Sequence, residues 1–201
     1  MAVILAPLRA LAALNTLLLR IGRQLAWIAL ALMVAIILVQ IAARITSGAL
    51  NWTEEAARFL MLWLTGLIAP TAYRWGGFVA IDTLPRALPR GIANGLLTLL
   101  LALSLGVLVY AAGIGWGEVT GFPGTFQTAA LYTFVFPSLS EGITFGWAPM
   151  PRSHMMASLF VGVCLLILVN IELLAKAVIG LIAPGLPLPE DPDAEALTGT
   201  E

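Results

Sequence analysis

Charge is scarce in this chain. Only 10% of its 201 residues are Asp, Glu, Lys or Arg, against about 25% in a typical soluble domain. Histidine and cysteine occur once each, as His154 and Cys164. One histidine excludes bis-histidine haem ligation within the chain, and no group of His, Cys, Asp and Glu has the spacing of a metal site. One cysteine inside an apolar run forms no intrachain disulfide and reads as a small packing residue. Neither a Walker-type phosphate loop nor the nucleophile motif G-x-S-x-G is present. His154, beside Arg152 and Ser153 ahead of a long apolar run, needs no catalytic role. These absences argue against an enzyme, and they give the chain no catalytic, metal or substrate-binding residue and no cofactor of its own. The net charge of −1 points to no nucleic-acid partner.

What the chain has is apolar length. Hydrophobic residues make up 60% of it and the mean hydropathy is +0.98. A bilayer core is crossed by about 20 apolar residues in a helix. Four runs meet that length, at about 24–43, 55–73, 92–112 and 155–174, so the expected fold is an all-α membrane domain over residues 23–182. Pro70 bends the last turn of the second run without ending it. Residues 1–22 are apolar but interrupted by Pro7, Arg9 and Asn15. With neither a basic leader nor a cleavage signal they read as an interfacial helix on the cytoplasmic face rather than a signal peptide. The outer loop, residues 113–150, is expected to carry short interfacial helical pieces, because the apolar run ended by Pro137 is too short to span. Residues 183–201 are rich in proline and acid and read as a disordered tail.

Orientation follows from the basic residues. Arg9, Arg20, Arg23, Arg74, Arg86, Arg90 and Lys176 fall on one side of the expected spans, and Arg44, Arg58 and Arg152 on the other. The richer side is cytoplasmic, which places both termini there. Trp27, Trp52, Trp75, Trp116 and Trp147 all fall near span ends, where an amphipathic ring prefers to sit.

Charges that do occur at span boundaries are therefore informative. The second span opens with Asn51-Trp52-Thr53-Glu54-Glu55-Ala56-Ala57-Arg58. Asn51 is placed to cap the helix, with Glu54 at the capping-box position and both glutamates in the first turn, where the helix dipole favours them. Glu54 or Glu55 can meet Arg58 on one helix face. The group reads either as a self-contained cap and ion pair or as a clasp to another helix or subunit, with Trp52 setting depth. After the second span, Gly76 and Gly77 permit a tight cytoplasmic turn, across which Arg74 and Asp82 can pair. Gly91 and Gly95 form a G-x-x-x-G that lets helices approach closely. Late in the fourth span, Glu172 and Lys176 are four residues apart and read as a solvated inner helix end.

Three stretches resemble the small membrane subunit of the tripartite ATP-independent periplasmic (TRAP) transporters. Trp52-Thr53-Glu54-Glu55-Ala56-Ala57-Arg58-Phe59 matches that family's Trp/acidic/Arg start of the second helix. The stretch from Ala69-Pro70-Thr71-Ala72-Tyr73-Arg74-Trp75-Gly76-Gly77 to Asp82 matches its exit. Pro149-Met150-Pro151-Arg152-Ser153 resembles the lead into its fourth helix. Phe78 stands where the family often has His, and the loop 113–150 is longer than usual. The resemblance implies a subunit of the bacterial inner membrane that scaffolds a large transport subunit. It also implies help in docking a periplasmic binding protein, for sodium-driven secondary active transport (symport) of an organic anion such as a carboxylate. Sodium would be held on the large subunit. A free-standing tetraspan assembly or signalling protein is the alternative.

Overall fold

The structure, a computed structural model, describes residues 2–46, 48, 50–75, 90–121, 127–135 and 146–182. Four helices hold most of them: α1 (Ala2–Thr46), α2 (Asn51–Arg74), α3 (Arg90–Thr120) and α4 (Ser153–Ile182). In space α2 packs between α1 and α4, and α3 lies against the other side of α4. Among the described residues, three helices are long and apolar enough to cross a membrane, over Ala6–Thr46, Gly91–Thr120 and Ser153–Ile182. The 24 residues of α2, which include Glu54, Glu55, Arg58 and Arg74, are not among those three.

The first helix departs most from expectation. It runs unbroken for 45 residues, about 67 Å at 1.5 Å per residue, through the point where the interfacial segment was expected to end. Its buried positions are Leu8, Ala12, Asn15, Leu19, Gly22, Ala26 and Ala29. These alternate by four and three, the seam of a helix lying along another. Small residues in the seam bring α1 close to α2: a Cβ at Gly22 would stand 3.4 Å from the Leu67 carbonyl oxygen.

The α2–α4 crossing is closer still. A side chain at Gly162 would meet Gly66 at 2.7 Å (oxygen) and 2.8 Å (Cα), and one at Gly66 would overlap the Ser158 carbonyl. Ser158 and Gly162 are therefore the working small-x-x-x-small pair. Pro70 lies one turn beyond Gly66 and gives no N–H to its carbonyl, which instead faces Gly162 across the crossing. Gly91 and Gly95 do not play that part among the described residues, since a Cβ at either position meets none of them within 4 Å. Higher up, α3 meets α4 where the Trp116 and Phe160 rings lie 5.6 Å apart.

Residues 113–120 of the expected outer loop continue α3, and the described residues beyond them are not helical. Gln127–Val135 (β1) pairs antiparallel with Gly146–Pro151 (β2), with Tyr132 opposite Pro149 and Val135 opposite Gly146. An irregularity between Gln127 and Tyr132 breaks the register. The sequence Thr-Ala-Ala-Leu-Tyr-Thr-Phe-Val is rich in β-branched and aromatic residues, which suit a strand better than an interfacial helix. The expected tail, 183–201, lies outside the described residues.

Candidate functional site: a buried polar junction

At its outer end α2 begins differently from the sequence reading. Leu50 is the N-cap, with no side-chain capping bond, and Asn51 is already helical. Instead the Thr53 hydroxyl, fully buried, donates to the Leu50 carbonyl at 2.6 Å. Glu54 and Arg58 do pair, at 3.8 Å, but both side chains are largely exposed. Glu55 takes a separate part: its carboxylate accepts the Leu131 backbone N–H of β1 at 3.1 Å. The hairpin is thereby tied to α2, and the Thr128 hydroxyl, with one proton to give, lies within hydrogen-bond reach of both the Leu131 and the Met150 carbonyls. Trp52 is 42% exposed beside this group.

The other end of α2 carries the most heavily bonded polar group of the described residues. Tyr73 and Arg74 are consecutive, so their side chains leave the helix about 100° apart and reach different neighbours. Arg74 turns toward α1 and α4. Its guanidinium donates to the Thr16 hydroxyl at 2.8 Å, to the Ala12 carbonyl at 3.4 Å and to the Glu172 carboxylate at 3.0 Å. The Lys176 ammonium lies 2.7 Å from the same Glu172 oxygen. Asn15 bonds the other Glu172 oxygen at 2.8 Å and the Leu168 carbonyl at 3.1 Å. Glu172 has no exposed side-chain surface and Arg74 has 4%. Tyr73 turns the other way: the Asn170 amide donates to its hydroxyl at 2.7 Å and to Ser104 of α3 at 3.1 Å. Asn170 is also fully buried.

Two residues of α2 and two of α4 thus join all four helices at one level. Burying such a group is costly, and only dense bonding offsets that cost; deleting one partner of a buried ion pair typically loses about 3–5 kcal/mol. Three sequence readings change here. Arg74, read as part of the cytoplasmic turn, also ties α2 to α1 and α4. Its expected partner Asp82, with Gly76 and Gly77, lies outside the described residues. The Glu172–Lys176 pair forms, but buried instead of solvated. Asn15 was read as an interruption, although its place in the three-four seam of α1 marked it as inward-facing.

The chemistry open to this arrangement is cohesion. Its carboxylate is held by two cations and an amide, and no group of three or more His, Cys, Asp or Glu among the described residues is placed to hold a metal. Comparison with known families gives a match over residues 33–180, to the DctQ component of the tripartite ATP-independent periplasmic transporters. That is well over half of the chain. The chain belongs to the DctQ family. No curated protein and no solved structure matches it.

The DctQ match includes Tyr73, Arg74, Ser104, Asn170, Glu172 and Lys176, whereas Asn15 and Thr16 precede it. As a DctQ component the chain is a membrane protein and a small permease subunit of a TRAP transporter. This is a family of transporter components rather than of enzymes.

Proposed function

We propose that this small subunit is the fixed scaffold for the large transport subunit and helps dock the periplasmic binding protein. The transporter so formed takes up an organic anion, a carboxylate in the simplest case, driven by sodium bound on the large subunit. The chain sits in the bacterial inner membrane with four spans and both termini cytoplasmic. The observation that carries the scaffold role is the junction itself: Glu172, Arg74, Lys176 and Asn15 are spent on holding helices together. A subunit built this way is suited to stay rigid while its partner moves.

Glu54 and Arg58, exposed at the outer end of α2, are the charges available to a neighbouring subunit. Arg58→Ala is expected to lower the yield of detergent-stable complex more than it changes affinity for the binding protein. Unchanged yield with lost affinity contradicts that assignment. The scaffold role is tested by gentle solubilisation and pull-down. A stoichiometric large polytopic partner supports it. A monomer or homo-oligomer, under conditions that preserve a control complex, favours the free-standing tetraspan reading.

A further inference from the structure

Ser104 lies at the midpoint of Gly91–Gly117, a stretch of α3 without a charged residue. Among the described residues it is the point at which an α3 side chain hydrogen-bonds another helix. Asn170 of α4 meets it there. The amide N–H groups of Asn170 go to the Tyr73 hydroxyl at 2.7 Å and to the Ser104 hydroxyl oxygen at 3.1 Å. Those bonds use both donors of the amide and leave its carbonyl. Asn170 is fully buried, and its Oδ1 has no hydrogen-bond partner in the protein. Ser104 accepts from Asn170 and still has its own proton to give. The acceptor in reach is the Tyr73 oxygen at 3.5 Å, beyond the usual range for one hydroxyl bonding another.

The hydrocarbon core of a bilayer offers no water to an exposed polar group, so such a group is met from within the protein. Buried polar atoms are ordinarily bonded to protein or to ordered water, and a buried water takes about two to four hydrogen bonds. The two groups left over here are complementary. Asn170 Oδ1 needs a donor, and the Ser104 hydroxyl needs a close acceptor. A cation could sit against either oxygen but could not accept the serine proton. An apolar group could serve neither. A water molecule serves both.

We propose that one buried water bridges Asn170 Oδ1 and the Ser104 hydroxyl, inside the bundle where α2, α3 and α4 meet. It donates to the amide carbonyl and accepts from the serine. The water fixes α3 to α4 at the middle of its apolar length, about three turns below the Trp116–Phe160 contact. This site depends on neither the orientation of the chain nor a partner subunit.

The test is water-edited solid-state NMR of the full chain in its complex, in perdeuterated lipid bilayers, with isotope-labelled asparagine and valine. Polarisation from water is expected to reach the Asn170 side-chain amide several-fold faster than the backbone N–H of its neighbour Val169, which is 1% exposed. Ser104→Ala is expected to slow that transfer to the Val169 rate. Ser104→Thr, which keeps a hydroxyl, should retain it. Ser158→Ala should leave it intact, because the Ser158 hydroxyl is already bonded to the Met155 carbonyl. Transfer to Asn170 no faster than to Val169 in wild type overturns the site. So does transfer that survives unchanged in Ser104→Ala. If Ser104→Ala does not fold, a density map of the wild-type complex decides. A peak within hydrogen-bond reach of both Asn170 Oδ1 and Ser104 Oγ supports the bridge. A map that shows other ordered waters but none within reach of both atoms refutes it.

Discussion

Replacing Glu172 with glutamine should damage this protein more than removing either cation that it binds. Arg74 and Lys176 both contact the same carboxylate oxygen, at 3.0 and 2.7 Å, so the two cations are close neighbours. Once Glu172 is neutral they face each other unscreened. Two like charges about 5 Å apart at an effective dielectric of about 20 repel by roughly 3 kcal/mol, and the lost pairing adds to that. By contrast, Arg74→Leu leaves Glu172 and Lys176 as a neutral pair with the Asn15 bond intact. Glu172→Gln is therefore expected to cost about 4 kcal/mol and Arg74→Leu about half of that. A shift of that size lowers the melting temperature of a domain this large by about 10 °C for Glu172→Gln. Tryptophan fluorescence during thermal unfolding of the detergent-solubilised chain reads it out. The double variant E172Q/R74L should be more stable than E172Q alone, because it relieves the repulsion. The reasoning is refuted if E172Q melts within about 2 °C of wild type, or if E172Q/R74L is less stable than E172Q by the full cost of R74L.

Other outcomes follow from the same packing. Gly162→Ala forces α2 and α4 apart against backbone atoms of Gly66, so about 1–3 kcal/mol of stability should be lost in chemical denaturation; an unchanged midpoint would show that the crossing is looser. Gly91→Ala and Gly95→Ala place methyl groups where no described residue lies within 4 Å, and should each stabilise the isolated subunit by up to about 1 kcal/mol through helix propensity. A large loss in the isolated subunit would mean that another part of the chain covers that face. Glu55→Ala removes the acceptor for the Leu131 N–H and should speed proteolysis within the outer loop while leaving helix content by circular dichroism unchanged; identical cleavage rates would show that the tie is dispensable.

Much of the architecture was legible in residue order alone. Scarce charge and long apolar runs are one-dimensional properties, so they identify a membrane protein without any knowledge of contacts. The Trp/acidic/Arg stretch at residues 52–58 was likewise local enough to read, including its Glu54–Arg58 pair. The outer strands were harder. Their β-branched residues were visible, but a two-stranded sheet depends on a partner segment and on the Glu55 tie, neither of which a short apolar run announces.

The sequence by itself determined that this chain belongs in a bilayer, that its four long apolar runs are helical, and which residues are the few that carry charge. Only the tertiary structure decided what those charges do. Asn15, Arg74 and Glu172 are separated by tens of residues, and each alone fits a boundary or turn position. They become one junction because α1 continues straight past residue 22, and because glycine at 22, 66 and 162 lets α1, α2 and α4 approach closely enough for their side chains to meet. The same geometry chose between the small-residue motifs: Gly91 and Gly95 meet none of the described residues, while Ser158 and Gly162 meet Gly66. Whether a small residue packs or stays bare depends on which helix lies opposite, and residue spacing along one helix carries no record of that.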